Sequence, residues 1–127
     1  MKRKTLLFLV MALIIISSMI TGCGNGKYDI SNGEITTGEG LIQGDYESFD
    51  GNYYETEKLA EGNRITFGYA AGTVSGEISA QLVNPNGEIE VVIEDRLTYE
   101  IKDAGKYKIE VIGVQHSGAF ALEWTVE

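Results

Sequence analysis

The residues best suited to chemistry lie near the start of the chain, where Ile20, Thr21 and Gly22 precede Cys23. Cys23 is the only cysteine of the 127 residues. A cysteine thiolate is a strong nucleophile, and the small residues before it would let the adjoining peptide bond enter a narrow protease cleft. The arrangement suits a thiol that is modified covalently beside a cleavable bond.

The segment ahead of Cys23 has the three-part layout of a secretory signal. Basic residues 2–4 precede an unbroken apolar run over residues 6–16, and small or polar residues follow it. A membrane-spanning helix needs roughly 20 apolar residues, so the run is too short for a retained transmembrane anchor. Residues 1–22 are therefore expected to be a cleaved signal peptide.

Residues 20–23 resemble a bacterial lipobox, in which an aliphatic residue and two small residues precede cysteine. The resemblance implies cleavage between Gly22 and Cys23 and a diacylglyceryl thioether on Cys23. Acyl chains such as palmitate would then hold a lipoprotein on the cell membrane, facing outside the cytoplasm, and two or more chains anchor stably. The alternative is an ordinary secretory signal, which would leave Cys23 as an odd free thiol in an oxidising compartment.

The charge of the remaining 105 residues, one domain's worth, restricts their partners. Without the three basic residues at positions 2–4, seven basic residues face nineteen acidic ones, a net charge of −12. Such a chain has no electrostatic footprint for nucleic acid. Anionic headgroups would repel it, so the domain is expected to stand off from the membrane and to meet an envelope protein or glycan.

Glycine is frequent just after Cys23, and large apolar residues are few. Such a segment buries too little to offset its ordering entropy. We therefore expect residues 23–43 to be the lipidated cysteine and a flexible tether, most clearly over residues 24–38, with the folded domain at residues 44–127. A short edge strand around Tyr28 and Ile30 is the alternative.

From Tyr46 onward the apolar residues alternate with polar ones at period two, which is typical of half-buried antiparallel strands. About eight short runs of this kind, separated by turns, predict an all-β fold: a two-sheet β-sandwich of jelly-roll or Greek-key type. The runs cover residues 64–69, 77–83, 88–94, 96–101, 106–112 and 119–127, after a first run from Tyr46.

Turn signals separate these runs. The segment 84–87, Asn-Pro-Asn-Gly, predicts a bulged hairpin, and segments 60–63 and 115–118 predict further turns. Asp103, Gly105 and Tyr107 match the tyrosine corner of Greek-key sandwiches, in which the tyrosine hydroxyl bonds back to nearby backbone.

The rest of the chain offers little for catalysis. His116 falls in a predicted turn, where a solvated role is expected, and it has no evident zinc or nucleophile partner. We predict neither catalytic residues nor a metal or cofactor. Two alternatives, a hydrolase and a calcium-dependent or polymer-binding module, would use the carboxylates of Asp45, Glu47, Asp50 and Glu55.

Tyr53 and Tyr54 are adjacent in a predicted strand, so their side chains point to opposite faces. One of them should be exposed, and exposed tyrosines serve binding surfaces and stack on sugars. The pair is therefore the candidate binding surface, although the exposed ring could instead pack under a loop.

Glu55 and Glu57 alternate in phase with Leu59, which would turn two carboxylates inward. Either a bulge near Thr56 shifts the register, or this strand is a sheet edge that uses inward charge to block pairing.

Several turn glycines and core positions recur in a fixed order: Phe49-Asp50-Gly51, Leu59 to Ile65, Leu82 to Gly87, Gly105 to Val111 and Gly118 to Leu122. Over about residues 49–124 this order resembles the jelly-roll domains related to the bacterial pre-peptidase C-terminal family, which also occur in small Gram-positive lipoproteins. The resemblance implies a non-catalytic accessory module, of a kind that in some members binds calcium or polymeric substrates. The sequence thus favours a membrane-anchored, extracytoplasmic binding module of the cell envelope.

Overall fold

The computed structural model describes residues 25–127; the predicted signal peptide, the cleavage site at Gly22 and the lipidation site at Cys23 lie outside these residues. Seven strands make up the fold: β1 (Tyr28–Ser31), β2 (Glu34–Gly38), β3 (Leu41–Leu59), β4 (Arg64–Val83), β5 (Ile89–Val92), β6 (Thr98–Glu100) and β7 (Gly105–Val126). Every pairing is antiparallel, so the predicted all-β antiparallel class is confirmed. Within residues 25–127 no helix is long and apolar enough to span a bilayer.

The three long strands form the centre of one continuous hydrogen-bonded sheet, in which β7 lies between β3 and β4. β1 and β2 pair with successive parts of β3, while β5 and β6 pair with opposite ends of β4. The predicted sandwich therefore has two layers that are halves of the same sheet.

The pairing of β4 requires this sheet to fold back on itself. Thr66 pairs with Thr98 near the start of β4, and Gln81 pairs with Val92 near its end. A straight strand would separate these two β4 positions by about 50 Å, whereas the chain from residue 92 to residue 98 reaches about 20 Å at most. The strand must therefore bend in its middle.

A side-chain bond closes the two layers. Glu57 lies near one end of the β3–β7 ladder and Trp124 near the other, yet the indole Nε1 of Trp124 donates to Glu57 Oε1 at 3.0 Å. The apolar core lies between the layers and draws on both ends of every long strand. Its largest fully buried apolar side chains are Phe49, Phe67, Tyr107, Ile42, Ile65, Leu82, Ile101, Ile109 and Leu122.

The bend follows a line of β-bulges across the three long strands, which we call the fold line: residues 46–51 of β3, 73–77 of β4 and 113–118 of β7. One extra residue reverses which side chains face inward. In β7 the buried side chains are odd-numbered before Gln115 and even-numbered after it: Tyr107, Ile109 and Val111, then His116, Phe120, Leu122 and Trp124. Layer 1 comprises residues 41–46, 64–73 and 118–126, and layer 2 comprises residues 51–59, 77–83 and 105–113.

The predicted tether is wrong for Tyr28–Gly38, because these residues form β1 and β2 along the free edge of β3. Ile30 and Ile35 pack against the core. The backbone N–H and C=O groups of β1 and β2 pair with those along the edge of β3, which would otherwise lack partners. The edge-strand alternative around Tyr28 and Ile30 therefore describes the fold better, and the folded domain includes residues well before position 44.

Two predicted turns and the tyrosine corner are confirmed. Gly87 N donates to Asn84 O at 2.9 Å, with Gly87 at φ +84°, and a register shift follows at Leu82/Val83. The turn over residues 60–63 closes with Asn63 N donating to Ala60 O at 3.1 Å. The Tyr107 hydroxyl donates to Asp103 O at 2.7 Å.

The predicted turn at residues 115–118 is wrong, because these residues lie inside β7 at the fold line. Gln115 (φ +45°) and Gly118 (φ +146°) supply the positive φ angles of a bulge, and the chain continues without reversing. His116 is correspondingly not a solvated turn residue: its exposed fraction is 0%.

Candidate functional site

The outer faces of the two layers differ in charge. The outer face of layer 2 carries lysines, and we call it the basic face; the outer face of layer 1 carries carboxylates, and we call it the acidic face. Alternation along the strands sends these side chains to solvent while their neighbours fill the core.

The basic face is centred on the end of the β3–β7 ladder. Lys58 pairs directly with Lys106, and Lys108 lies two residues further along β7, opposite Thr56. All three lysines are exposed. Like charges directly opposite on one sheet face repel, so this pairing costs stability and needs another reason to be present.

Tyr54 adjoins these lysines. The ammonium of Lys108 lies 4.5 Å from the centre of the Tyr54 ring, a cation–π contact across the ladder. Tyr54 is half-buried in this position, so the ring and the ammonium together form a defined part of the basic face.

Further along the same face, two amides hold one carboxylate. Asn52 Nδ2 donates to Glu110 Oε2 at 2.9 Å, and Gln81 Nε2 donates to Glu110 Oε1. Both oxygens of Glu110 are therefore occupied by neighbours on either side, while a second acid of this face, Glu77, is exposed at the fold-line end of β4.

An apolar margin completes the basic face on the side of β5. Val92 pairs with Gln81, and Ile89 pairs with Val83. Val92 and Ile89 are 58% and 59% exposed. Val83 is buried but does not belong to the core cluster, which agrees with its position on the outer face beneath these neighbours.

The acidic face has short side chains in its middle and carboxylates around them. Glu34 pairs with Asp45 across β2 and β3, and Glu47 accepts a bond from Asn32 Nδ2 at 2.6 Å. Glu123 lies over Gly68, where an added Cβ would meet its side chain at 3.0 Å. The small residues between them are Gly68, Ala70, Gly72, Ala119 and Ala121.

Tyr53 and Tyr54 point to opposite faces. Tyr53 faces inward, its ring 5.6 Å from that of Tyr28, and its hydroxyl donates to Glu55 Oε1 at 2.9 Å. Burial raises the pKa of the Tyr53 hydroxyl. Tyr54 faces outward, so of the two candidate binding tyrosines only Tyr54 lies on an outer face.

The inward carboxylates of Glu55 and Glu57 fit the sheet-edge alternative. The β3–β7 register runs without a shift from Asn52 to Leu59, so there is no bulge near Thr56. Glu55 accepts from Tyr53, and Glu57 accepts from Trp124, so hydrogen bonds compensate both inward carboxylates.

The four carboxylates suspected of catalysis or calcium binding do not converge. Asp45 and Glu47 lie on the acidic face, Asp50 Oδ1 accepts from Gln115 N at the fold line, and Glu55 faces inward. Over residues 25–127 no three His, Cys, Asp or Glu side chains are grouped so that they could hold a metal ion.

His116 is held in the interior by two hydroxyls. Its Nδ1 lies 2.7 Å from the Tyr46 hydroxyl and its Nε2 lies 2.8 Å from Thr73 Oγ1. Burial lowers the pKa of His116 and raises that of Tyr46. A neutral imidazole has one donor and one acceptor nitrogen, and two hydroxyls can satisfy both.

The basic face was not predicted from the sequence. Lys106 and Lys108 are two residues apart in a predicted strand, so they share a face, and this spacing was the available signal. The third lysine, Lys58, joins them only through the register between strands far apart in the chain.

No protein-family model and no curated protein sequence matches this chain, so the resemblance to the pre-peptidase C-terminal family stays a prediction. Among solved structures, the chain is similar to PliG of Aeromonas hydrophila, a periplasmic lysozyme inhibitor of g-type lysozyme. The TM-score is 0.48 at 16% sequence identity, over 67% of this chain and 84% of that chain.

Proposed function

We propose that this protein is a lipid-anchored, extracytoplasmic lipoprotein whose β-sandwich is a non-catalytic binding module of the cell envelope. The lipobox-like residues 20–23 support the anchor and the compartment. The four suspected carboxylates do not converge, because Asp45 and Glu47 lie on the acidic face, Asp50 bonds Gln115 N at the fold line and Glu55 faces inward; this supports a binding role over hydrolysis.

One observation carries the choice of binding surface: in the middle of the acidic face, the outward positions of β4 and β7 are all glycine or alanine. A partner can therefore approach these two strands closely. Asp45, Glu47 and Glu123 are exposed around this centre, while Arg64 lies at its corner beside Glu100. The partner class that fits is an envelope protein with a cationic surface.

Binding of the mature chain to fractionated envelope proteins and cell-wall glycans tests this proposal. The double variant Asp45→Lys with Glu123→Lys should abolish retention, because it reverses two of the charges that surround the centre of the face. The matched control Glu88→Lys changes an exposed acid in the β4–β5 turn and should leave retention intact. Retention that survives the double variant, or turnover of any retained glycan, would refute the proposal.

A further inference from the structure

We propose that the basic face docks on the anionic surface of the membrane that carries the lipid anchor, which fixes how the domain is oriented there. The inference rests on the proposed anchor at Cys23 and goes beyond it, because an anchor alone would leave the domain free to rotate. The occupant is a bilayer with anionic headgroups, and two separate observations point to it.

The first observation is the position of the first described residues on the edge of β3. Asn25 O accepts a hydrogen bond from Tyr54 N, and Lys27 O accepts one from Asn52 N, each at 2.9 Å. From Lys27 back to Asn25, the chain therefore runs along the edge of β3 in the direction of Thr56 and Lys58. Covalent geometry allows at most about 7 Å between the Cα atoms of Asn25 and Cys23. A lipid on Cys23 would therefore bring the bilayer close to the lysine-bearing end of β3.

The second observation is the concentration of cations on this one face. Seven basic residues lie in the described part of the chain, and Lys58, Lys106 and Lys108 share the outer face of layer 2. A fourth, Lys27, precedes Tyr28, whose ring packs inward against Phe49, so alternation turns the lysine outward. Four of the seven basic residues thus lie on the outer face of layer 2, next to the β3 edge that pairs with Asn25 and Lys27, although the domain as a whole is strongly acidic.

The other groups on the face suit a membrane interface. Tyr54 supplies an amphipathic ring beside Lys108, and Ile89 and Val92 supply exposed apolar side chains. Tyrosine at headgroup level, lysine above anionic lipid and shallow apolar contacts are the usual components of interfacial binding. The central strands place two carboxylates on this face: Glu110 is already paired with Asn52 and Gln81, and exposed Glu77 lies at the fold-line end of β4, opposite Val114. The acids at this end of the layer, Glu61, Glu88 and Asp103, lie in connecting turns.

The net charge and the distribution of charge predict opposite behaviour near anionic lipid. A charge of −12 spread evenly over the surface would keep the domain away, whereas separate basic and acidic faces turn the basic face toward the lipid. With the basic face on the bilayer, the acidic face on the opposite layer points away from the membrane, where the proposed envelope partner would reach it.

The test measures lysine accessibility on vesicles. The mature chain, residues 23–127, is coupled through its single thiol at Cys23 to a maleimide lipid in vesicles of phosphatidylglycerol or of phosphatidylcholine. Acetylation by a water-soluble reagent is then followed for each lysine by mass spectrometry. Because the coupling is chemical, the result does not depend on whether the cell acylates Cys23, so a failure of docking is distinguishable from a failure of the anchor.

We expect acetylation of Lys58, Lys106 and Lys108 to slow several-fold on phosphatidylglycerol relative to phosphatidylcholine, while exposed Lys102 reacts equally on both. Each lysine should contribute about fivefold to the docking equilibrium, and added salt should remove the protection. The double variant Lys58→Glu with Lys108→Glu should lose protection at Lys106. The control pair Arg64→Glu with Lys102→Glu, which changes the net charge equally, should keep it.

Equal acetylation rates on the two lipids would overturn the proposal. Protection that persists in the Lys58→Glu, Lys108→Glu variant, or that extends equally to Lys102, would overturn it as well, since neither pattern requires this face to contact the bilayer. Circular dichroism of each variant checks that the sheet is intact.

Discussion

His116 joins the three long strands at the point where they bend. It belongs to β7, and its two ring nitrogens contact Tyr46 of β3 and Thr73 of β4. The side chain is fully buried, and its pKa is lowered because burial disfavours the imidazolium. The histidine is therefore a neutral structural element of the fold line.

This environment predicts a pH dependence of stability. Above pH 6.5, about the ordinary pKa of histidine, a buried histidine with a lowered pKa is neutral in both the folded and the unfolded chain. Its contribution to the free energy of unfolding is then complete. As the pH falls below that value, the unfolded chain binds a proton that the folded chain does not, and the free energy of unfolding decreases. Urea titrations between pH 7.5 and pH 5 measure this slope.

The variant His116→Gln is the matched comparison, because an amide keeps a donor and an acceptor but does not titrate. We expect a less stable protein at pH 7.5 and a shallower slope of stability against pH below pH 6.5, since the amide takes up no proton in this range. Identical slopes in the two proteins would show that His116 is protonated as easily in the folded state as in the unfolded one.

At the scale of elements, the fold line determines the architecture. Bulges in β3, β4 and β7 lie side by side, and each reverses the inward-facing positions of its strand. Gly76 shows what this geometry requires. It has φ +77°, and a Cβ added there would overlap the carbonyl oxygen of Gln115 on the neighbouring strand.

Gly76→Ala should therefore destabilise the protein by at least about 1–2 kcal/mol, the cost of a left-handed backbone with a side chain, with further loss from the overlap. Gly72→Ala is the control four residues earlier in β4. An added Cβ there meets no atom within 4 Å, and its φ is not in the left-handed region. Thermal unfolding of both variants measures the difference. Equal melting temperatures would mean that the bulge in β4 tolerates an ordinary residue.

The sequence predicted the strands better than their connections. Alternation such as Tyr107, Ile109 and Val111 is a local signal, and so are the turn at residues 84–87 and the tyrosine corner. The bulge at Gln115 and Gly118 uses the same residue types as a turn, so the chain's continuation through it could not be predicted locally. The edge strand β1 was only the alternative and β2 was not predicted, for a related reason: Ile30 and Ile35 gain their stability from β3, which lies beyond them in the chain.

At the scale of the whole molecule, the distribution of charge matters more than its sum. The net charge of −12 was readable from composition, but the separation into basic and acidic faces depends on which strands are neighbours. The same topology brings the first described residues beside Tyr54, where part of the expected tether pairs with β3. A lipid anchor at Cys23, together with the proposed docking of the basic face, would thus hold the sandwich in a defined orientation.

Intact mass spectrometry of the protein extracted from its native membranes tests the proposed lipid anchor. We expect a chain that begins at Cys23 and carries a diacylglyceryl thioether on that residue. An unmodified thiol at Cys23, or a chain that still contains residues 1–22, would contradict it.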